Sequence, residues 1–150
     1  MGIVDKLGAY QAVREDQYSA VFLLGLVVFG VVSPIAEELL FRGIIHNYLR
    51  RFMNVKLALL ISSALFGLYH MDFVQGMYGF LMGCLIAYAY EYFGDFKMAV
   101  AVHAVANILV YCLTYTPVVT TAFVSWPVCI AFAVLAAGCL WTMSNRKNVL

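Results

Sequence analysis

Charge is what this sequence has least of. Asp, Glu, Lys and Arg together make 11% of its 150 residues, hydrophobic side chains make 65%, and the mean hydropathy is +0.91. A water-soluble domain carries about a quarter of its residues charged. A water-facing surface is therefore excluded over most of the chain, and lipid is its solvent. The formal net charge of +1 offers no basic stripe, so nucleic acid is not expected as a partner. At this length the chain reads as a single polytopic all-α bundle, embedded in a bilayer.

Other absences narrow the class further. The four cysteines, Cys84, Cys112, Cys129 and Cys139, lie in apolar stretches with no CxxC pair. They read as small buried hydrophobes, which excludes a disulfide framework and a cysteine-based zinc site. No HExxH, internal repeat or low-complexity tract is present. The opening MGIVDKLGAYQAVREDQY has no continuous apolar h-region and carries Asp5, Lys6, Arg14, Glu15 and Asp16, which argues against a cleavable signal peptide. Lys6 stands where a myristoylation signal beginning at Gly2 needs Ser or Thr. Ile3, Leu7 and Tyr10 share one helical face, so residues 1–17 are expected to form a short interfacial helix.

Five hydrophobic segments follow, separated by short turns: Tyr18 to Leu49, Leu57 to His70, Phe73 to Phe93, Lys97 to Leu113 and Ala122 to Met143. The first is long for one straight crossing, roughly 48 Å at helical rise against a hydrocarbon core of about 30 Å. Ser33-Pro34 in its middle is expected to break or kink it, with Ser as N-cap and Pro at the first helical position. Arg50, Arg51 and Lys56 follow the first segment, Lys97 the third, and Arg146 and Lys147 the fifth. The turns around Met71-Asp72 and Thr114 to Thr121 contain no Lys or Arg. The positive-inside rule then puts the C-terminus in the cytoplasm. The N-terminus lies outside for a kinked first span, and inside if Ser33-Pro34 reverses the chain.

Against this background the stretch SPIAEELLFRG stands out, because charges at membrane depth cost about 2.5 to 3.5 kcal/mol each on insertion scales. Glu38 and Arg42 are four apart with the acid first, the favourable order for an ion pair on a helix. Their pairing leaves Glu37, about 100° round the helix, as the uncompensated carboxylate. FGLYH places Phe66 and His70 on one face of the second segment, and HAVAN places His103 and Asn107 on one face of the fourth. Counted from the basic turns, Glu37 and His70 both lie about 20 Å from the cytoplasmic edge, with Asn107 near 15 Å and His103 near 9 Å before tilt. A carboxylate and an imidazole at one level suit water activation, and imidazole and amide donors suit an oxyanion. A helix starting at Pro34 would hold Glu37 ionised through its positive end.

EELLFRG, FGLYH and HAVAN together resemble the EExxxR, FxxxH and HxxxN motifs of the CPBP family, the CAAX-protease and bacteriocin-processing (Abi, Rce1-like) intramembrane endopeptidases. All three are complete, in order and on separate segments. The resemblance implies a metal-free glutamic protease without cofactor. Glu37 would activate water assisted by His70, His103 and Asn107 would form the oxyanion hole, and Glu38, Arg42 and Phe66 would support the site. It divides the chain into the interfacial residues 1–17, a catalytic core over 18–113, and an extra helix with a basic tail over 114–150. It also implies a multi-pass protein of a bacterial cytoplasmic membrane, with the bilayer and a peptide or protein substrate as partners. Prenyl-processing members carry more helices than this chain, which favours a peptide substrate or a role in bacteriocin self-immunity. The rival classes are an inactive scaffold or immunity protein, and a zinc-dependent protease using Glu and His ligands. His46 beside Arg50, and Glu91 in AYAYEYF, read as interfacial polar residues. Gly76, Gly79 and Gly83 read as a close-packing face, with a groove for an extended substrate as the alternative.

Overall fold

The computed structural model describes residues 8–9, 11–13 and 22–114. Beyond the first few residues it consists of four helices, α1 (Phe22–Leu49), α2 (Val55–Tyr69), α3 (Phe73–Phe93) and α4 (Phe96–Thr114), with no strand among the described residues. Two of these, α1 and α3, are long and apolar enough to cross a membrane, and α2 and α4 are shorter apolar helices. The expected segments two to four are thus present, the third with the expected bounds and the other two with ends moved by one or two residues. The fifth, Ala122 to Met143, lies outside the described residues, as do Ile3, Leu7 and Tyr10.

Ser33-Pro34 does not start a helix. The backbone runs through Val32 (φ −67°, ψ −50°) and Ser33 (φ −59°, ψ −51°) in the right-handed helical region, so α1 is one continuous element and no helix N-terminus lies beside Glu37. The chain accommodates the proline by widening. Val28–Val32 forms a π-helical turn immediately before it, and a second π-helical stretch spans Leu39–His46. A proline ring clashes with the carbonyl four residues earlier in an α-helix, and a wider preceding turn draws that carbonyl aside. The second stretch has a different consequence. In an α-helix, residues four apart drift about 40° round the axis at each step. The wider turns take up that drift, so the fully buried Glu38, Arg42 and His46 form one line facing the other helices. The opposite face, with Leu39, Leu40 and Ile44 exposed, is apolar, as a lipid-facing surface must be.

Helices α2 and α3 form a tight hairpin. Asn54 caps α2 by accepting from Leu57 N at 2.9 Å. Asp72 caps α3 by accepting from Val74 N and Gln75 N, and Gly94 in the left-handed region (φ 65°) ends it. The two helices touch backbone to backbone, for a Cβ on Gly67 would fall 2.6 Å from Gly76 O. The glycine face of α3 is therefore consumed by packing on α2. Val55 and Leu59 from α2 and Cys84 and Ala87 from α3 make the core between them. Cys84 is buried as expected, whereas Cys112 is exposed on α4; a thiol is apolar enough for that face.

Candidate active site

The line of polar residues on α1 meets α3 and α4 at its middle. Glu38 is fully buried, and its Oε1 accepts from Arg42 Nη1 at 2.9 Å and from His103 Nδ1 of α4 at 2.7 Å. Arg42 continues across the bundle, with Nη2 donating to Gly83 O of α3 at 2.6 Å. Its guanidinium also lies over the Phe66 ring of α2, 5.1 Å from the centroid. One buried ion pair on α1 is thereby tied to all three other helices. The expected Glu38–Arg42 pair is present. That His103 joins it as a third member was not legible in the sequence, because counts along separate segments carry no tilt.

Glu37 stands apart from this network. Its side chain retains 16% exposure, whereas that of Glu38 has none. Its Oε1 accepts from Ser33 Oγ one turn earlier, and its Oε2 lies 3.7 Å from His103 Nε2. That separation is beyond a hydrogen bond, yet close enough for a water beside the two atoms to touch both. Because Nδ1 of His103 donates to Glu38, Nε2 is the nitrogen presented to Glu37. Ser33 was expected as an N-cap; its hydroxyl instead serves the carboxylate four residues on, a spacing that was legible in SPIAE.

His70 ends α2 beside the hairpin turn. Its Nδ1 lies 2.9 Å from Phe66 O, and a carbonyl only accepts, so Nδ1 carries the proton and Nε2 is left as the basic nitrogen. Phe66 holds both imidazoles by edge contacts, with ring centroids 5.0 Å from His70 and 5.5 Å from His103. Gly79 of α3 lies under His70, where a Cβ would come 3.1 Å from Nδ1. Asn107, one turn beyond His103, donates from Nδ2 to Phe29 O of α1 at 2.9 Å. The structure thus gathers Glu37, Glu38, Arg42, Phe66 and His103 directly, joins His70 through Phe66, and anchors Asn107 on the π-helical turn before Pro34. Among the described residues, no group of three or more His, Cys, Asp or Glu side chains is arranged to hold a metal ion.

A second polar cluster lies nearer the basic turn, and it corrects the reading of His46 as an interfacial residue, for the side chain packs inside the bundle. His46 is fully buried. Its Nε2 lies 2.7 Å from Glu91 Oε1, and its Nδ1 lies 3.2 Å from Ser62 Oγ, which itself donates to Leu59 O. Arg50 Nε closes on the same Glu91 oxygen at 2.9 Å. Adjacent to it, Asn47 bonds Tyr90. The signal available in the sequence was the spacing of His46, four residues from Arg42 and eight from Glu38.

Residues 19–109 match the family model described as type II CAAX prenyl endopeptidase Rce1-like, and the chain belongs to that family. It is 33% identical over 103 residues to the "Putative membrane peptidase YdiL" of Bacillus subtilis (strain 168), covering 69% of this chain and 42% of the relative. It is 34% identical over 82 residues to the UPF0177 protein YxdF of Lactococcus lactis subsp. lactis (strain IL1403), covering 54% of this chain and 45% of that protein. The chain therefore spans less than half the length of these curated relatives. No solved structure matches it.

Proposed function

We propose that this member of the Rce1-like family is an intramembrane endopeptidase of the glutamic, CPBP type, in which Glu37 activates the attacking water. The observation that carries the reading is the contrast between two adjacent carboxylates. Glu38 is fully buried with its Oε1 held by Arg42 and His103, while the Glu37 side chain keeps 16% exposure with Oε2 beside His103 Nε2. In the reaction, Glu37 Oε2 takes a proton from water as the water oxygen bonds to the scissile carbonyl carbon. His70 Nε2 helps to orient that water. The resulting oxyanion is held by a protonated His103 Nε2–H and by the Asn107 N–H not engaged with Phe29. Transfer of the proton to the leaving nitrogen then breaks the C–N bond. Glu38, Arg42 and Phe66 hold these groups in place.

The substrate is a peptide or protein segment that reaches the site from within or beside the bilayer, prenylated or not. The ion pair from Arg50 to Glu91 brings the basic turn after α1 level with the end of α3. This supports a multi-pass arrangement with the basic turns on one side, and the positive-inside rule puts that side and the C-terminus in the cytoplasm. The test is cleavage of a peptide library by the purified protein, with wild type, Glu37→Gln and His70→Ala run with and without EDTA. Cleavage lost in both variants and indifferent to EDTA is expected. Abolition by EDTA with recovery on zinc would assign the site to a metal. Unchanged cleavage by Glu37→Gln would refute the proposed base.

A further inference from the structure

The register of α1 around Pro34 carries one inference more, which rests on the oxyanion role proposed for Asn107. Within the π-helical turn Val28–Val32 the backbone bonds reach back five residues, and Ser33 N–H donates to Val28 O in that register. The next bond in the series would run from residue 34 to Phe29 O. Residue 34 is proline and has no N–H to give. The Asn107 amide of α4 donates to Phe29 O at 2.9 Å.

We infer that Pro34 is a positioning residue for Asn107: by withholding a backbone N–H it reserves Phe29 O as the acceptor that orients the Asn107 amide for the oxyanion. An amide bears two N–H groups. With one fixed on a backbone carbonyl of α1, the plane and direction of the other are set before substrate arrives, which is the preorganisation an oxyanion hole requires. Pro34 is itself fully buried, and the same stretch of helix carries Ser33 and Glu37. One proline therefore sets the carbonyl for the amide three residues before the residue proposed as the base. Placing alanine at position 34 supplies the missing N–H. That backbone donor then competes for Phe29 O and releases the amide.

The experiment uses the full chain in micelles, as wild type, Pro34→Ala, Asn107→Ala, the double variant and Glu37→Gln. With ¹⁵N-asparagine labelling, the side-chain amide resonance of Asn107 is assigned by its loss in Asn107→Ala. In Pro34→Ala this resonance is expected to move upfield and exchange faster with solvent. The kcat should fall about 10²-fold, the cost of a misplaced catalytic group, with KM within about twofold. The double variant should be no slower than Asn107→Ala alone, since the two act through one hydrogen bond. An Asn107 amide resonance unmoved in Pro34→Ala overturns the inference, as do a kcat equal to wild type or losses that multiply in the double variant. Should Pro34→Ala fail to accumulate, Pro34→Gly restores the same N–H. Cleavage retained by Glu37→Gln overturns the glutamate mechanism instead, and the amide resonance still decides whether Pro34 orients Asn107.

Discussion

Helix α1 carries two clusters built from the same ingredients, a glutamate, a histidine and an arginine, and they end in different states. At the basic end, Glu91 Oε1 is closed upon by both His46 and Arg50, and the other nitrogen of His46 is taken by Ser62. That carboxylate is shared between an imidazole and a guanidinium. Mid-helix, the corresponding pairing falls on Glu38, whose Oε1 is held by both Arg42 and His103, and a second carboxylate stands beside it. Glu37 has a serine hydroxyl on one oxygen and the flank of an imidazole near the other. A buried polar cluster becomes a candidate site when one of its carboxylates keeps exposure beside an imidazole, as Glu37 does and the fully buried Glu38 does not. The first cluster fastens helices; the second fastens helices and presents the carboxylate proposed as the base.

Substitutions at corresponding positions separate the two. Glu37→Gln is expected to lower kcat by about 10² to 10⁴-fold, the usual contribution of a general base, with the melting temperature near that of wild type. Arg42→Ala should act on the fold, because it leaves Glu38 buried beside His103 with its main counter-charge gone. A loss of about 3 to 5 kcal/mol is expected, read as failure to accumulate or as a large fall in melting temperature in detergent. Glu91→Gln removes the charge shared by His46 and Arg50 and should destabilise by about 1 to 3 kcal/mol, while cleavage per folded molecule stays at the wild-type level. Ser33→Ala should lower kcat about tenfold by freeing the Glu37 carboxylate to rotate. Ser33→Thr, which keeps the hydroxyl, should restore most of the rate.

Much of this was legible in the residues and some was not. The membrane class follows from composition, and the Glu38–Arg42 pair from a spacing of four on a helix. The face shared by Phe66 and His70 follows in the same way. What could not be read depends on two helices at once. His103 was placed near 9 Å and Glu37 near 20 Å from the cytoplasmic edge by counting along each segment, yet the structure brings them to 3.7 Å, since tilt and widened turns are not written into residue counts. The π-helical stretches were also hidden. Pro34 announced a disruption of α1, but whether the helix stops or widens is decided by packing against α4. His46 was misread because its neighbours Arg50 and Arg51 drew it toward water. Its partner Glu91 lies 45 residues away on α3, with no local pattern joining them.

The most direct test of the distinction between the two carboxylates is a single comparison. Glu37→Gln and Glu91→Gln are reconstituted in the same liposomes and assayed on one cleavable peptide, with rates normalised to folded protein. Cleavage lost in Glu37→Gln and retained in Glu91→Gln is the predicted result, with one carboxylate catalytic and the other a fastener. Equal rates for the two variants would contradict it, whether both match wild type or both fall together.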